Sequence, residues 1–406
     1  MTEKKKRLLI AIIFILICII LGYLLYRVFF YKKPVPTTTL PEDTIPTSQI
    51  GEQLPTAGES TDITPTEQFE TLPESGQIYT EITTPDAVTR QIDSPVSGVK
   101  IDNSGNINFY NESDGKFYRV LKDGSIASMS DKIFYNISNI NWAPTSDEAI
   151  LEYPDGSNIY YNFNTNKQVT LPAYWEDFSF SSQSDKIAAK SIGLAPENRW
   201  LITSDPDGKN VSYIEHMGEN AHKVIVDWSP TRQFVAMSLT GEPLGEDRQQ
   251  VLFIGQNNEN FPSIIVEGYG LETKWSPTGD KLLYSVYNAN NDFKPELWIT
   301  DTGVNNMGYN RTSLEINTWT NKCTFADSRF IYCAVPRTLP IGSGFAPSIA
   351  DNIYDNIYKI DLKTGTKTEI STGNKNYTID TISISADEKM LYFTDKNQTG
   401  LLTIKL

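Results

Sequence analysis

The feature that most constrains this chain is a short unit that returns through most of its length. In its clearest form it reads Lys274-Trp275-Ser276-Pro277-Thr278-Gly279-Asp280-Lys281-Leu282-Leu283-Tyr284. A second strong copy is Asp227-Trp228-Ser229-Pro230-Thr231, followed by Phe234-Val235-Ala236. Weaker copies keep the order: Asn141-Trp142-Ala143-Pro144 before Ala149-Ile150-Leu151, and Phe180-Ser181-Ser182 before Lys186-Ile187-Ala188. Lys322-Cys323-Thr324-Phe325 precedes Phe330-Ile331-Tyr332, and Ile384-Ser385-Ala386-Asp387 precedes Met390-Leu391-Tyr392. Val99-Lys100-Ile101-Asp102 before Ile107-Asn108-Phe109-Tyr110 is a degenerate first copy. Each unit is a hairpin in outline. An apolar residue ends one strand, a Ser-Pro turn reverses the chain with help from Gly, Asp or Asn, and a β-branched or aromatic run returns.

Ile101, Trp142, Phe180, Trp228, Trp275, Cys323 and Ile384 are taken as equivalent anchors, separated by roughly 40 to 60 residues, the period of propeller blades. Two more strands fit between anchors. Trp200–Ser204 and Val211–His216 flank the turn at Asp205-Pro206-Asp207-Gly208, and Ile357–Leu362 and Lys367–Ser371 flank Lys363-Thr364-Gly365-Thr366. The expectation is an all-β, seven-bladed β-propeller over residues 87–406. After Ile384 only Met390–Thr394 and Leu401–Lys405 fit as further strands. The last blade therefore lacks its outer strand, and Ala87–Ile92 is expected to supply it and seal the ring.

Two different segments come first. Lys4, Lys5, Lys6 and Arg7 precede an uncharged run from Leu8 to Tyr26. As a helix that run is about 28 Å long, close to a hydrocarbon core. Residues 1–33 are expected to be a cytoplasmic tip and one uncleaved transmembrane anchor, with the bulk of the chain outside the cell membrane. Residues 34–86 are rich in Pro, Thr, Ser and Glu, and no Lys or Arg follows Lys33 until Arg90. Such a stretch has too little apolar surface to offset its ordering entropy and reads as a disordered stalk. It would span on the order of 40 Å as a coil and about 160 Å as polyproline II.

The chain carries a net charge of −15, with only 2 His and 3 Cys. An acidic domain without a basic stripe is repelled by phosphate backbones, which argues against nucleic-acid partners. Little material is left for zinc or redox chemistry, and no cofactor is expected.

The Trp-Ser-Pro-x-Gly-Asp-Lys-Leu-Leu-Tyr pattern resembles the repeat of TolB-type β-propellers, itself similar in outline to WD repeats. The resemblance covers roughly residues 87–406, is specific at Trp142, Trp228 and Trp275, and is weak in blades one and seven. It implies a bacterial envelope protein whose propeller is a docking platform. TolB adds an N-terminal α/β domain and is soluble in the periplasm. Here an anchor and stalk occupy that place, so TolB's own partners do not carry over. Similar repeats also precede peptidase domains in prolyl-oligopeptidase-like enzymes; this chain is expected to end where the ring closes.

Candidate chemistry is sparse. Cys323 and Cys333 lie on the two arms of one expected hairpin and read as a disulfide, the alternative being two buried thiols. His216 and His222 flank Glu219, with Glu215 beside His216, but Gly and Asn between them indicate a solvated connection rather than a metal site. Asp205-Pro206-Asp207-Gly208 lacks the ligand series of a calcium loop and reads as a hairpin turn. No Gly-x-Ser-x-Gly is present; Ile341-Gly342-Ser343-Gly344 has the wrong spacing.

Loops joining second and third strands all leave one face of a propeller. They are short in blades one, two and seven (111–115, 154–157, 395–400) and long in blades three to six (193–199, 240–248, 288–295, 336–351). Insertions gathered on one face mark a binding face. The longest carries Arg337, Leu339 and Phe345 as candidate contact residues. The function expected is a non-catalytic, membrane-tethered platform for protein or cell-envelope partners. A glycan- or small-ligand-binding propeller is the first alternative, and a propeller hydrolase or lyase the second.

Overall fold

The computed structural model describes residues 78–81 and 88–406, except 246, 258 and 260. The anchor expected over 1–33 lies outside the described residues, as does the stalk apart from Ile78–Glu81. Among the described residues no helix is long and apolar enough to cross a membrane.

Among the described residues the strands form seven sheets, antiparallel apart from one added edge strand. Blades one to six span residues 96–128, 139–171, 175–216, 224–266, 269–313 and 323–370, each meandering through four consecutive strands. Blade seven has three strands between 379 and 405, and its outer strand is Val88–Ile92, antiparallel to Leu401–Lys405. The ring thus closes on a strand from the start of the repeat region, as the missing outer strand requires. Ile78–Glu81, inside the stretch read as stalk, adds a parallel fifth strand to blade six beside Lys367–Ile370.

The buried side chains divide into seven clusters, one for each pair of neighbouring blades. Phe234, Phe253 and Ile264 of blade four meet Trp275, Tyr284 and Trp298 of blade five. Ile92 and Leu401 of blade seven meet Phe109 and Val120 of blade one. Each sheet is buried on both faces, which explains why its strands are continuously apolar rather than alternating. All seven interfaces must be made for every blade to have both faces covered.

The repeat motif has a specific mechanical basis. Ser276 is fully buried, and its Oγ accepts from the Lys281 amide at 3.1 Å and donates to Asp280 Oδ1 at 2.8 Å. Ser385 and Ser181 make the same pair of bonds, to Met390 and Asp387 and to Lys186 and Asp185. The serine therefore ties both ends of the turn, and the aspartate orients the serine. Gly279 has φ +70°, and a Cβ there would lie 2.9 Å from Thr231 Cγ2 of the preceding blade, so close blade packing also requires glycine. The Trp anchors reach backward too: Trp142 Nε1 donates to Gly98 O at 2.7 Å.

One anchor is misplaced in the sequence reading. Cys323 begins the first strand of blade six, Cys323–Phe325, and the turn bond equivalent to those of Ser229 and Ser276 is made by Ala326 to Phe330 O. Phe325 is the true equivalent of Trp275. The sequence pattern does not separate the two positions, because side chains two apart in a strand share a face.

Candidate functional site

Because strands alternate in direction, the loops joining second and third strands share a face with the connections between blades. Large exposed apolar side chains crowd that face: Leu194 in blade three, Tyr269 and Phe293 in blade five, and Ile341, Phe345, Ile349 and Tyr354 in blade six. The rings of blades five and six lie together, unlike the scattered apolar exposure of ordinary surfaces.

Two long loops of the face, those of blades five and six, are joined. In blade five, the loop 288–295 is folded by Asn288, whose Oδ1 accepts from the amides of Asn290 and Asn291, while Asn291 Oδ1 accepts from the Asn288 amide. This capping box leads into Asp292 and Phe293, both left-handed at φ 58° and 53°. That conformation is costly for a bulky residue, and such strain persists only where surroundings hold it. Blade six supplies the hold, with Gly342 N donating to Asp292 O at 2.9 Å and Gly344 N to Phe293 O at 2.8 Å.

The result is a run of aromatic rings across two blades. Centroids are 6.5 Å apart for Tyr269 and Tyr287, 6.0 Å for Tyr287 and Phe345, and 6.0 Å for Phe293 and Phe345. Phe345 is 62% exposed, although its neighbours hold it in place. Of the other two loop residues singled out from sequence, Arg337 is exposed at the root of the loop, its Nε donating to Asn356 Oδ1 at 2.8 Å, and Leu339 is half-buried. Phe345 leans on blade five, whereas Arg337 is held within blade six. Tyr269, Tyr287 and Phe293 were not anticipated, since they join Phe345 only through the packing of adjacent blades.

The base of the blade-six loop is rigid. Lys322 Nζ donates to both oxygens of Asp355, at 2.8 and 2.9 Å, and Asp355 Oδ2 also accepts from the Ile379 amide of blade seven at 2.7 Å. Burial pushes the Asp355 carboxyl up, and the Lys322 charge opposes the shift. Cys323 and Cys333 face each other directly across the first hairpin and are joined by a disulfide, with Cα atoms 4.1 Å apart.

Nearer the axis, Glu272 is pushed up by burial, against a hydrogen bond from Thr320. Asp227 is raised by burial to about 7 and Lys274 lowered by burial to about 8. A polar cleft of about 590 Å³ between blades six, seven and one is lined by Glu112, Asp351, Asp380, Asp395 and Lys396. Lys396 pairs with Asp351. Among the described residues no group of three or more His, Cys, Asp or Glu side chains is arranged to hold a metal. His222 Nδ1 lies 3.1 Å from Glu219 O, and His216 packs on Trp200 at 4.9 Å. Asp205 and Asp207 pair with Lys186 and Lys167.

No protein-family profile matches the chain, and no curated protein sequence does. Solved structures do resemble it. An oligogalacturonate lyase in complex with manganese superposes with TM-score 0.53 at 15% identity, over 81% of this chain and 96% of that one. The β-propeller domain of Cps50 (Swd1) from Myceliophteria thermophila gives 0.52 at 10%, over 80% and 99%. Tricorn protease gives 0.49 at 12%, and only 34% of its length is covered. At such identities the likeness is one of architecture: the chain shares the seven-bladed β-propeller fold with proteins of different kinds.

Proposed function

We propose that this protein is a non-catalytic, membrane-tethered β-propeller that docks a protein partner of the cell envelope through the joined loops of blades five and six. The observation that carries this reading is the aromatic run Tyr269, Tyr287, Phe345 and Phe293, in which the loops carrying Phe293 and Phe345 are tied together by the backbone bonds from Gly342 and Gly344. Rigid, exposed aromatic side chains bury large apolar area at little entropic cost, which is what interface hot spots require. The TolB-like repeat is consistent with a docking role. The disulfide and the apolar, cation-flanked N-terminal run support an extracytoplasmic placement.

The test is cross-linking of the full chain in whole envelopes, wild type against Phe345→Ala and Phe293→Ala. The expected outcome is a defined protein adduct reduced at least about tenfold in both variants. An adduct that persists unchanged, or none with the wild type, overturns the reading. Placement is checked by protease added to intact cells, which should remove the propeller without touching the N-terminal tip.

A further inference from the structure

A second feature of the loop face is chemically unlike the ridge of blades five and six. On blade three, a cleft of about 540 Å³ is lined by Tyr174, Ser191, Gly193, Asn198, Trp200 and Tyr213. Ser191 and Trp200 are paired neighbours on the second and third strands, and Tyr213 follows on the outer strand beside Ile202. The same sheet face carries Ala189 and Ile202 into the core shared with blade two. Blade two's loop on this side is short, turning at Tyr153–Ser157, so it leaves the upper part of that face uncovered.

The walls of the cleft are aromatic. Tyr174 is 57% and Tyr213 65% exposed. Trp200 meets Tyr213 edge to face, with centroids 5.5 Å apart and planes at 77°, so the two rings form adjoining walls rather than a closed stack. Gly193 lets the loop fold tightly enough to bring Asn198 to the rim, since a Cβ at 193 would stand 2.4 Å from that of Asn198.

The polar atoms of the cleft are uncommitted. Ser191 is only 8% exposed, yet among the described residues its hydroxyl has no protein hydrogen-bond partner, and it borders the cleft. Among the described residues the Trp200 indole N–H, the Asn198 side-chain amide and the two phenols likewise have no protein hydrogen-bond partner, so the aromatic lining carries open donors and acceptors. Among the described residues no charged side chain lines the cleft. The nearest cations are engaged: Arg199 with the carbonyls of Gly193 and Leu194 and with Glu219, and Lys190 with Asp177.

We propose that this cleft binds a sugar ring of a neutral glycan. Pyranose rings present a face of C–H bonds, which suits aromatic walls, and an equator of hydroxyls, which suits unpaired hydroxyl, amide and indole groups. The volume falls within the range of about 300–1,000 Å³ usual for small-ligand sites. An acidic sugar would enter a cleft with no free cation on a protein of net charge −15, which selects for neutral units.

The test is titration of the full-length protein with fluorescently labelled maltotriose, cellotriose and chitotriose, with trigalacturonate and a proline-rich peptide as competing classes. At least one neutral trisaccharide should bind saturably. Trp200→Ala and Tyr213→Ala should weaken it at least about tenfold and Ser191→Ala about threefold, while Phe345→Ala leaves it unchanged. Absence of saturable binding to all three sugars overturns the proposal. Preference for trigalacturonate or for the peptide does so too, as does undiminished binding in Tyr213→Ala. Tyr213 is exposed enough to be truncated without unfolding the blade, so the outcome does not hinge on whether Trp200→Ala folds.

Discussion

Lys322 and Asp355 illustrate how a buried charge is tolerated only with its partner. Both side chains are almost wholly buried and joined by two hydrogen bonds. Removing one leaves the other charged and desolvated. Lys322→Met should lower stability by about 3–5 kcal/mol, and adding Asp355→Leu should restore much of it, as read by urea denaturation. Asp227 makes a prediction about pH. Burial raises its carboxyl from 3.8 to about 7, with a Thr273 hydrogen bond and Lys274 opposing. Between those values the folded protein holds a proton the unfolded chain has released, so this group's contribution to stability falls as pH rises through that window. Asp227→Asn should therefore raise Tm relative to wild type at pH 8 and leave it nearly unchanged at pH 4. An equal gap at both pH values would contradict the assignment.

The hairpin turn is the element on which the repeat depends. Its serine, fully buried, satisfies the amide that opens the return strand. Ser276→Ala leaves the Lys281 amide short of this bond and Asp280 with one of its two hydroxyl donors, that of Thr278, and should cost about 1–2 kcal/mol in thermal or chemical unfolding. Phe345→Ala, by contrast, removes an exposed ring from a loop pinned by backbone bonds and should leave stability within about 0.5 kcal/mol. Loop rigidity and loop display are thus carried by different atoms, so binding can be impaired without unfolding the blade.

A ring of seven sheets has no edge to spare. Val88–Ile92 completes blade seven through Val88–Ile404 and Thr89–Thr403 pairing, and Thr89 Oγ1 lies 2.6 Å from Thr403 Oγ1. A chain shortened to begin at Asp93 would expose the strand Leu401–Lys405 and the Ile92–Leu401 part of the core between blades seven and one. It should melt at lower temperature, with amide exchange rising first in blades seven and one and at Lys367–Ile370 of blade six, which loses Ile78–Glu81, and it should self-associate through the bared strand. Exchange rising uniformly around the ring would argue that closure contributes nothing local.

The seven-fold repeat was legible in the sequence because each blade is built from local contacts: a turn, a return strand and an apolar face, all within about fifty residues. The missing outer strand of blade seven could be inferred by counting, and the long loops by spacing. The slip from Phe325 to Cys323 shows the limit, since a period of two cannot distinguish anchors on the same face. The roles of the turn serines lay in the motif unread, their hydroxyl bonds being invisible in composition. What only the tertiary structure decided is which loops meet. Phe345 touches Tyr287 and Phe293, and Tyr174 shares a cleft with Tyr213, because blades stack at fixed distances and strands bring distant residues level. Those contacts depend on the angles between separate hairpins, and no pattern along a single chain segment records them.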